Sequence, residues 1–229
     1  MCGRFTLAVD PADLMELLPG FALPAERELL PRYNIAPTQE IAVVPNTGRN
    51  QIEFFRWGLV PSWAKDPKIG NRMINARSET LAEKPSFRVA FRRRRCLILA
   101  DGFFEWRKET AKAKTPLYVR LKAGKPFAFA GLWEVWSPQD ETAPDAAPLL
   151  SCTIITTTPN SLLEPIHNRM PVILDPDAYD LWLDTREQSP NELTGLLRPY
   201  PAEQMTAYPV STTVNSPKND SPACVAPVR

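Results

Sequence analysis

The sequence predicts an α+β fold: one domain over residues 1–229 with a curved, mainly antiparallel β-sheet core and peripheral helices. Three observations predict it. Short β-like runs dominate the periodic stretches, and only a few segments carry helix start signals. The 25 prolines fall mostly between those runs, where they punctuate loops rather than break elements. With 44% hydrophobic and 23% charged residues, a chain of this length can bury a substantial core.

Taken in order, Asp10-Pro11 ahead of Leu14, Leu17 and Leu18 reads as an N-capped helix with proline at its first position. Strands are expected at 40–44, 52–57, 95–100, 117–121, 127–136, 150–156 and 172–174, with another at 205–210. The polar, proline-bearing stretch 137–148 is expected to be an exposed hairpin loop. A second helix fits 175–184, with Asp175 capping and Pro176 at the first position. A third fits 192–197, stopped by Pro199. No internal repeat or low-complexity linker is visible.

Several classes are excluded. No run of about 18 apolar residues exists, so no transmembrane helix and no membrane partner is expected. The start Met1-Cys2-Gly3-Arg4-Phe5-Thr6 lacks the charged-then-apolar profile of a secretory signal. A monomer in the cytosol, or at the nucleoid of a bacterium, follows as the expectation, with its thiols kept reduced. Cys2, Cys96, Cys152 and Cys224 form no CxxC pair, and His167 is the only histidine to add to them. Neither a metal site nor a cofactor is called for. Cys96 and Cys152 lie in apolar runs and read as small core residues.

The net charge of +1 conceals an asymmetry. Residues 65–125 carry 17 Lys and Arg against 6 Asp and Glu, while residues 126–229 carry 5 against 13. A basic middle third is the footprint of a polyanion partner. The competing reading makes it a solvated face, with Arg92-Arg93-Arg94-Arg95 as plain surface charge.

Six residues are candidates for chemistry or binding. Cys2 stands next to a removable initiator methionine, and removal would leave a free amine and a thiol on one residue. Such a 1,2-aminothiol condenses with aldehydes: the amine forms an imine and the thiol closes a five-membered thiazolidine. The reference pKa values of the two groups, about 8 and 8.5, leave both partly available near neutrality. His167 is a natural proton carrier, although a lone histidine is more often structural. Glu105, among Phe103, Phe104 and Trp106 after an apolar run, is a candidate acid/base with a raised pKa, or else a strand residue facing water. Asn75 and Arg77, two apart, share a face if the segment is extended, and suit hydrogen bonding to a substrate and to a phosphate. Trp63, on a proline-led loop beside Lys65, is a candidate for stacking on bases, whereas Trp57 reads as core.

Six stretches in fixed order resemble one family: Met1-Cys2-Gly3-Arg4-Phe5, Tyr33-Asn34-Ile35-Ala36-Pro37, Arg56-Trp57-Gly58-Leu59-Val60-Pro61-Ser62-Trp63, Ile74-Asn75-Ala76-Arg77-Ser78-Glu79-Thr80, the run from Arg95 through Asp101-Gly102-Phe103-Phe104-Glu105-Trp106, and Ile166-His167-Asn168-Arg169-Met170-Pro171. They are similar to the SRAP family, named for SOS-response-associated peptidases and including abasic-site-processing proteins. The resemblance spans nearly the whole chain. It implies a protein that crosslinks covalently to abasic sites in single-stranded DNA and shields them. Its nucleophile falls on Cys2, its amide, acid and histidine on Asn75, Glu105 and His167. Its phosphate-binding arginines fall on Arg4, Arg77 and Arg169, with a further backbone contact at Thr156. Pro37 and Trp63 fall where the family wedges against or stacks on flanking bases. Where some relatives carry a second aromatic after Trp63, this chain has Ala64, which bears on stacking strength. The arginine run 92–95 exceeds the family pattern and would add nonspecific affinity. Two rival readings stand: a thiol peptidase using Cys2, His167 and Asn75, and a noncovalent single-strand binding module in which Cys2 is inert.

Overall fold

The computed structural model describes residues 2–23, 27–110, 113–138 and 147–228. In chain order the elements are β1 (Phe5–Leu7), α1 (Pro11–Leu17), β2 (Arg32–Ile35), β3 (Glu40–Pro45), β4 (Glu53–Trp57), β5 (Asn75–Arg77), α2 (Arg88–Arg93), β6 (Arg95–Ala100), β7 (Gly102–Lys108), β8 (Lys114–Leu121), β9 (Phe127–Trp136), β10 (Leu149–Thr157), β11 (Met170–Pro171), β12 (Ile173–Leu174), α3 (Tyr179–Leu183), α4 (Pro190–Thr194) and β13 (Met205–Pro209). The α+β class holds: strands dominate, pairing is mainly antiparallel, and the helices are short and peripheral.

Two sheets form the body. One is an antiparallel array in the order β13-β8-β7-β1-β2. In the other, β10, β4, β3, β6 and β9 pair in sequence and β9 pairs back with β10, so the sheet curls into a small closed barrel. Closure removes the exposed edges that an open sheet would present. It also explains why β6 and β9 read as nearly unbroken apolar runs. Both faces are covered, and every residue from Arg95 to Ala100 is buried.

The capping chemistry of the first helix is as expected. Asp10 accepts a hydrogen bond from the Ala12 N–H at 2.8 Å with Pro11 in the first turn. The expected helix at 175–184 instead splits into a 3₁₀ turn, Pro176–Ala178, and α3, under the Asp175 cap. The third helix starts earlier than expected, at Pro190 after Ser189, and gives way at Gly195. The expected strand at 172–174 is shortened to β12, Ile173–Leu174, with β11 just ahead of it at Met170–Pro171. β9 and β10 form an antiparallel pair from Trp136–Leu149 inward; most of the 137–148 loop lies outside the described residues. Among the described residues, no helix is long and apolar enough to cross a membrane.

The arginine run requires the largest revision. Arg92 and Arg93 are exposed, but Arg94 pairs with Glu134 at 2.7 Å and Arg95 is fully buried. The Arg95 guanidinium donates to the carbonyls of Phe91, Arg92, Trp182, Asp184 and Arg186. A guanidinium can be buried only when its fork of donors is satisfied, and here the carbonyl ends of α2 and of α3 with its following turn provide the partners. Burial pulls its pKa down to about 10, which still leaves it charged at neutral pH. Arg95 is therefore a structural clamp and contributes nothing to a charged surface.

Replacing Arg95 with Met strands those carbonyls and should cost about 3 kcal/mol of stability. Arg92→Met should stay within about 0.5 kcal/mol of wild type. Urea midpoints of the two variants measure the contrast.

Candidate functional site

The site begins with the placement of the chain's start. β1 is inserted between β2 and β7, pairing Phe5 with Ile35 on one side and with Phe103 on the other. Phe5 packs edge-on against Trp57 at 5.1 Å and against Phe129 at 5.9 Å, and all three rings are buried. The Phe104 N–H donates to the Arg4 carbonyl at 2.9 Å, which continues the ladder upstream. Cys2 is thereby drawn inside, fully buried. The Asn75 amide donates to the Cys2 carbonyl at 2.8 Å. Asn75 comes from β5, which is held parallel to β10 with Ile154 opposite Asn75 and Thr156 opposite Arg77.

Glu105 follows Phe104 on β7 and is 2% exposed, so the alternative of a carboxylate facing water is overturned. Burial holds its pKa above the ordinary carboxylate range, against the opposing pull of nearby positive charge that includes His167. Burial also drives the Cys2 thiol well up, and the Glu105 charge beside it acts in the same direction. Cys2, Glu105 and His167 thus form one electrostatically linked group. His167 is half-buried, and its Nδ1 accepts from the Arg169 N–H at 3.0 Å. That bond fixes the ring beside the β10–β11 end.

The three arginines differ in their commitments. Arg169 makes a bidentate pair with Glu79, at 2.6 and 2.9 Å, and donates to the Thr156 carbonyl at 2.6 Å. Thr156 itself is fully buried, its hydroxyl 3.4 Å from the Ala76 carbonyl. Arg4 donates to Asn34 Oδ1 and to the Val214 carbonyl, both at 2.7 Å, and lies 5.8 Å over the Trp106 ring. Arg77 is exposed and has no ion pair among the described residues.

Around the rim, Pro37 is half-buried beside Thr38, whose positive φ of 74° turns the chain sharply. Trp63 is 55% exposed, on a loop whose base depends on glycine: a Cβ on Gly58, at φ 128°, would meet the Gly70 carbonyl oxygen at 2.6 Å. Trp63 lines a pocket of about 360 Å³ with Lys65, Lys68 and Arg72, an aromatic face beside cations. Ala64 is buried under Trp136, whose indole N–H donates to the Ala64 carbonyl at 2.6 Å. Position 64 faces inward while lining the same pocket as Trp63.

The structure thus draws Cys2, Asn75, Glu105 and His167 into one group, Cys2 and Glu105 buried and Asn75 and His167 half-buried, with Arg77, Thr156 and Arg169 at the adjoining strand ends. Two partners were not anticipated: Glu79, which orients Arg169, and Asn34, which orients Arg4. Both lie within the stretches that carry the family resemblance, and that was the only available signal.

Comparison with known proteins extends this geometry. The family model for the SOS response associated peptidase (SRAP) matches residues 1–217. The chain is 49% identical over 226 residues to the abasic site processing protein YoqW of Bacillus subtilis, covering 98% of this chain and 99% of that protein. It is 30% identical over 270 residues to the abasic site processing protein HMCES of Xenopus tropicalis, covering all of this chain and 78% of that one. A crystal structure of a protein from Bacteroides thetaiotaomicron superposes over 100% of both chains with a TM-score of 0.87 at 28% identity.

The raised Glu105 pKa has a thermodynamic signature. A carboxyl whose pKa is higher folded than unfolded adds stability below its unfolded pKa and loses it as pH rises through the folded value. Glu105→Gln should therefore melt close to wild type near pH 4 and above it at pH 7 to 8. Melting temperature against pH measures this, and an advantage that shrank with rising pH would contradict the assignment.

Proposed function

The chain belongs to the SOS response associated peptidase family, and we propose that it processes abasic sites in single-stranded DNA by forming a covalent crosslink through Cys2. The observation that carries this reading is the convergence of Asn75, Glu105 and His167 on the residue next to Met1. Relatives named as abasic site processing proteins support the substrate class.

An abasic deoxyribose exists partly as a ring-opened aldehyde, which a single strand presents and a duplex hides. With Met1 removed, the Cys2 nitrogen is a free amine rather than a peptide nitrogen, and it attacks the aldehyde carbon to give a carbinolamine. Glu105, whose protonated form burial favours, protonates the departing hydroxyl, and water leaves as the imine forms. The Cys2 sulfur then bonds to the same carbon while its proton passes to the carboxylate that Glu105 has become. The product is a thiazolidine, and the water carries one hydrogen from the amine and one from the thiol. His167, whose charge acts on the Glu105 carboxyl, exchanges protons with it in this scheme. Asn75 holds the Cys2 carbonyl, which aims amine and sulfur at the aldehyde. Arg77 and Arg169 face the flanking phosphates, Arg4 braces the strand that carries Cys2, and Thr156 anchors Arg169 through its carbonyl. Trp63 and Pro37 hold the bases beside the lesion.

A thiol peptidase is less well supported. Such chemistry needs a thiolate near neutrality, and here burial and Glu105 both favour the neutral thiol. A sulfur attacking an imine inside the site, with a carboxylate at hand to take its proton, has no such requirement.

Mass-verified protein lacking Met1, mixed with a single-stranded oligonucleotide bearing one abasic site, should give a band shift that survives heating. Undamaged DNA and the Cys2→Ala variant should give none, and Cys2→Ser should give less durable adduct. Glu105→Gln should slow formation by roughly 10²–10⁴. Absence of the heat-stable band with the processed wild type would overturn the proposal.

A further inference from the structure

α2 presents a split face. Ala90 and Phe91 are in the core, while Arg88, Val89, Arg92 and Arg93 are exposed. Arg88 and Arg92 are four residues apart and so lie one above the other on the helix surface. Together with Ala82, Val89, Arg93 and Glu187 they line a pocket of about 440 Å³. Three guanidinium groups share that pocket with a single carboxylate. Glu187 accepts from Arg93 Nε and Nη2 at 3.2 and 2.7 Å, and Arg92 Nη1 lies 4.0 Å away. Arg88 has no ion pair among the described residues. A carboxylate bound by the fork of an arginine occupies the place a phosphate would take.

We infer that Arg88, Arg92 and Arg93 form a second phosphate-binding surface, which engages the backbone of the same DNA strand some nucleotides from the lesion. The inference rests on the DNA reading of the site. Three features support it. First, the resident ion pair is easily displaced: Arg93 and Glu187 are 61% and 47% exposed, and such solvent-screened pairs contribute little. Second, the surface is preorganised from beneath, because Arg95 ties the carbonyl of Arg92 to those of Asp184 and Arg186, and the Gln188 N–H donates to the Arg92 carbonyl at 3.2 Å. Third, it continues from the site. Ala82 on the pocket rim follows Arg77 by five residues through the turn Ser78–Thr80, a span of at most about 18 Å even when extended. The exposed side chain of Val89, between the cations, gives a sugar or base face an apolar contact.

The test compares equilibrium binding of undamaged single strands of about 6 and about 25 nucleotides over a range of salt, so that it does not depend on crosslinking. Wild type should prefer the longer strand, and the slope of log K against log salt should be steeper for it by roughly 0.7 per added phosphate contact, about 2 for three. Arg88→Gln/Arg92→Gln/Arg93→Gln should abolish both the preference and the extra slope, while crosslinking a short abasic strand as wild type does. Glu187→Gln should strengthen binding of the long strand. If the triple variant keeps the length preference and the slope, the second surface is wrong, even where wild type crosslinks normally. If wild type fails to crosslink but shows the length-dependent slope that the triple variant lacks, the fault lies with the crosslinking reading and the surface stands.

Discussion

Three residues at the start of the chain hold the site in place. β1 is the shortest member of its sheet, yet it has a neighbour on each side and a phenyl ring wedged between Trp57 and Phe129. A strand so short would not persist alone; its stability comes from the sheet that receives it and from burying Phe5. Because Cys2 lies three residues upstream, its position is inherited from that insertion, and the Asn75 bond to its carbonyl needs only to complete it. The same burial that fixes Cys2 also removes water from Glu105, so positioning and proton affinity have one cause.

Charge is arranged on a larger scale by the same economy. The basic middle third meets acidic residues from both ends of the chain. Lys125 pairs with Glu16 and Asp13, Arg94 with Glu134, and Arg92 and Arg93 with Glu187. Much of the sequence asymmetry is therefore consumed by folding. Exposed cations outside those pairs remain at Arg77, around Trp63 and at Arg88 on α2, with others at Lys84, Lys108, Lys114, Arg120 and Lys122.

How far the sequence revealed this depended on how each element is stabilised. Long strands buried on both faces, such as β6 and β9, were legible because continuous apolar runs have few other uses. β1, β2 and β5 were not. Three or four residues cannot show a period, and these strands exist only because partners far along the chain pair with them. α2 was hidden for a different reason: four successive arginines look like solvated charge, and nothing local shows that the fourth turns inward to cap carbonyls from two segments. In the site, Cys2, Asn75, Glu105 and His167 were readable as residue types in recognisable stretches. Glu79 and Asn34 were not, because their role is to hold an arginine brought to them by the fold.

The bond between Arg4 and the Val214 carbonyl spans 210 residues. One guanidinium thus joins the first strand to nearly the last turn, and Asn34 fastens that same turn through the carbonyls of Val214, Ser216 and Asn219. At a ribosomal rate of 5–20 residues per second, roughly 10–40 s separate the emergence of Arg4 from that of its partner. The carbonyls that Arg4 and Asn34 grip are therefore supplied only when translation is almost finished, long after β1 and β2 have been made. The start of the chain thus waits on its far end for one of its anchors, and that corner of the sheet is fastened last by order of synthesis.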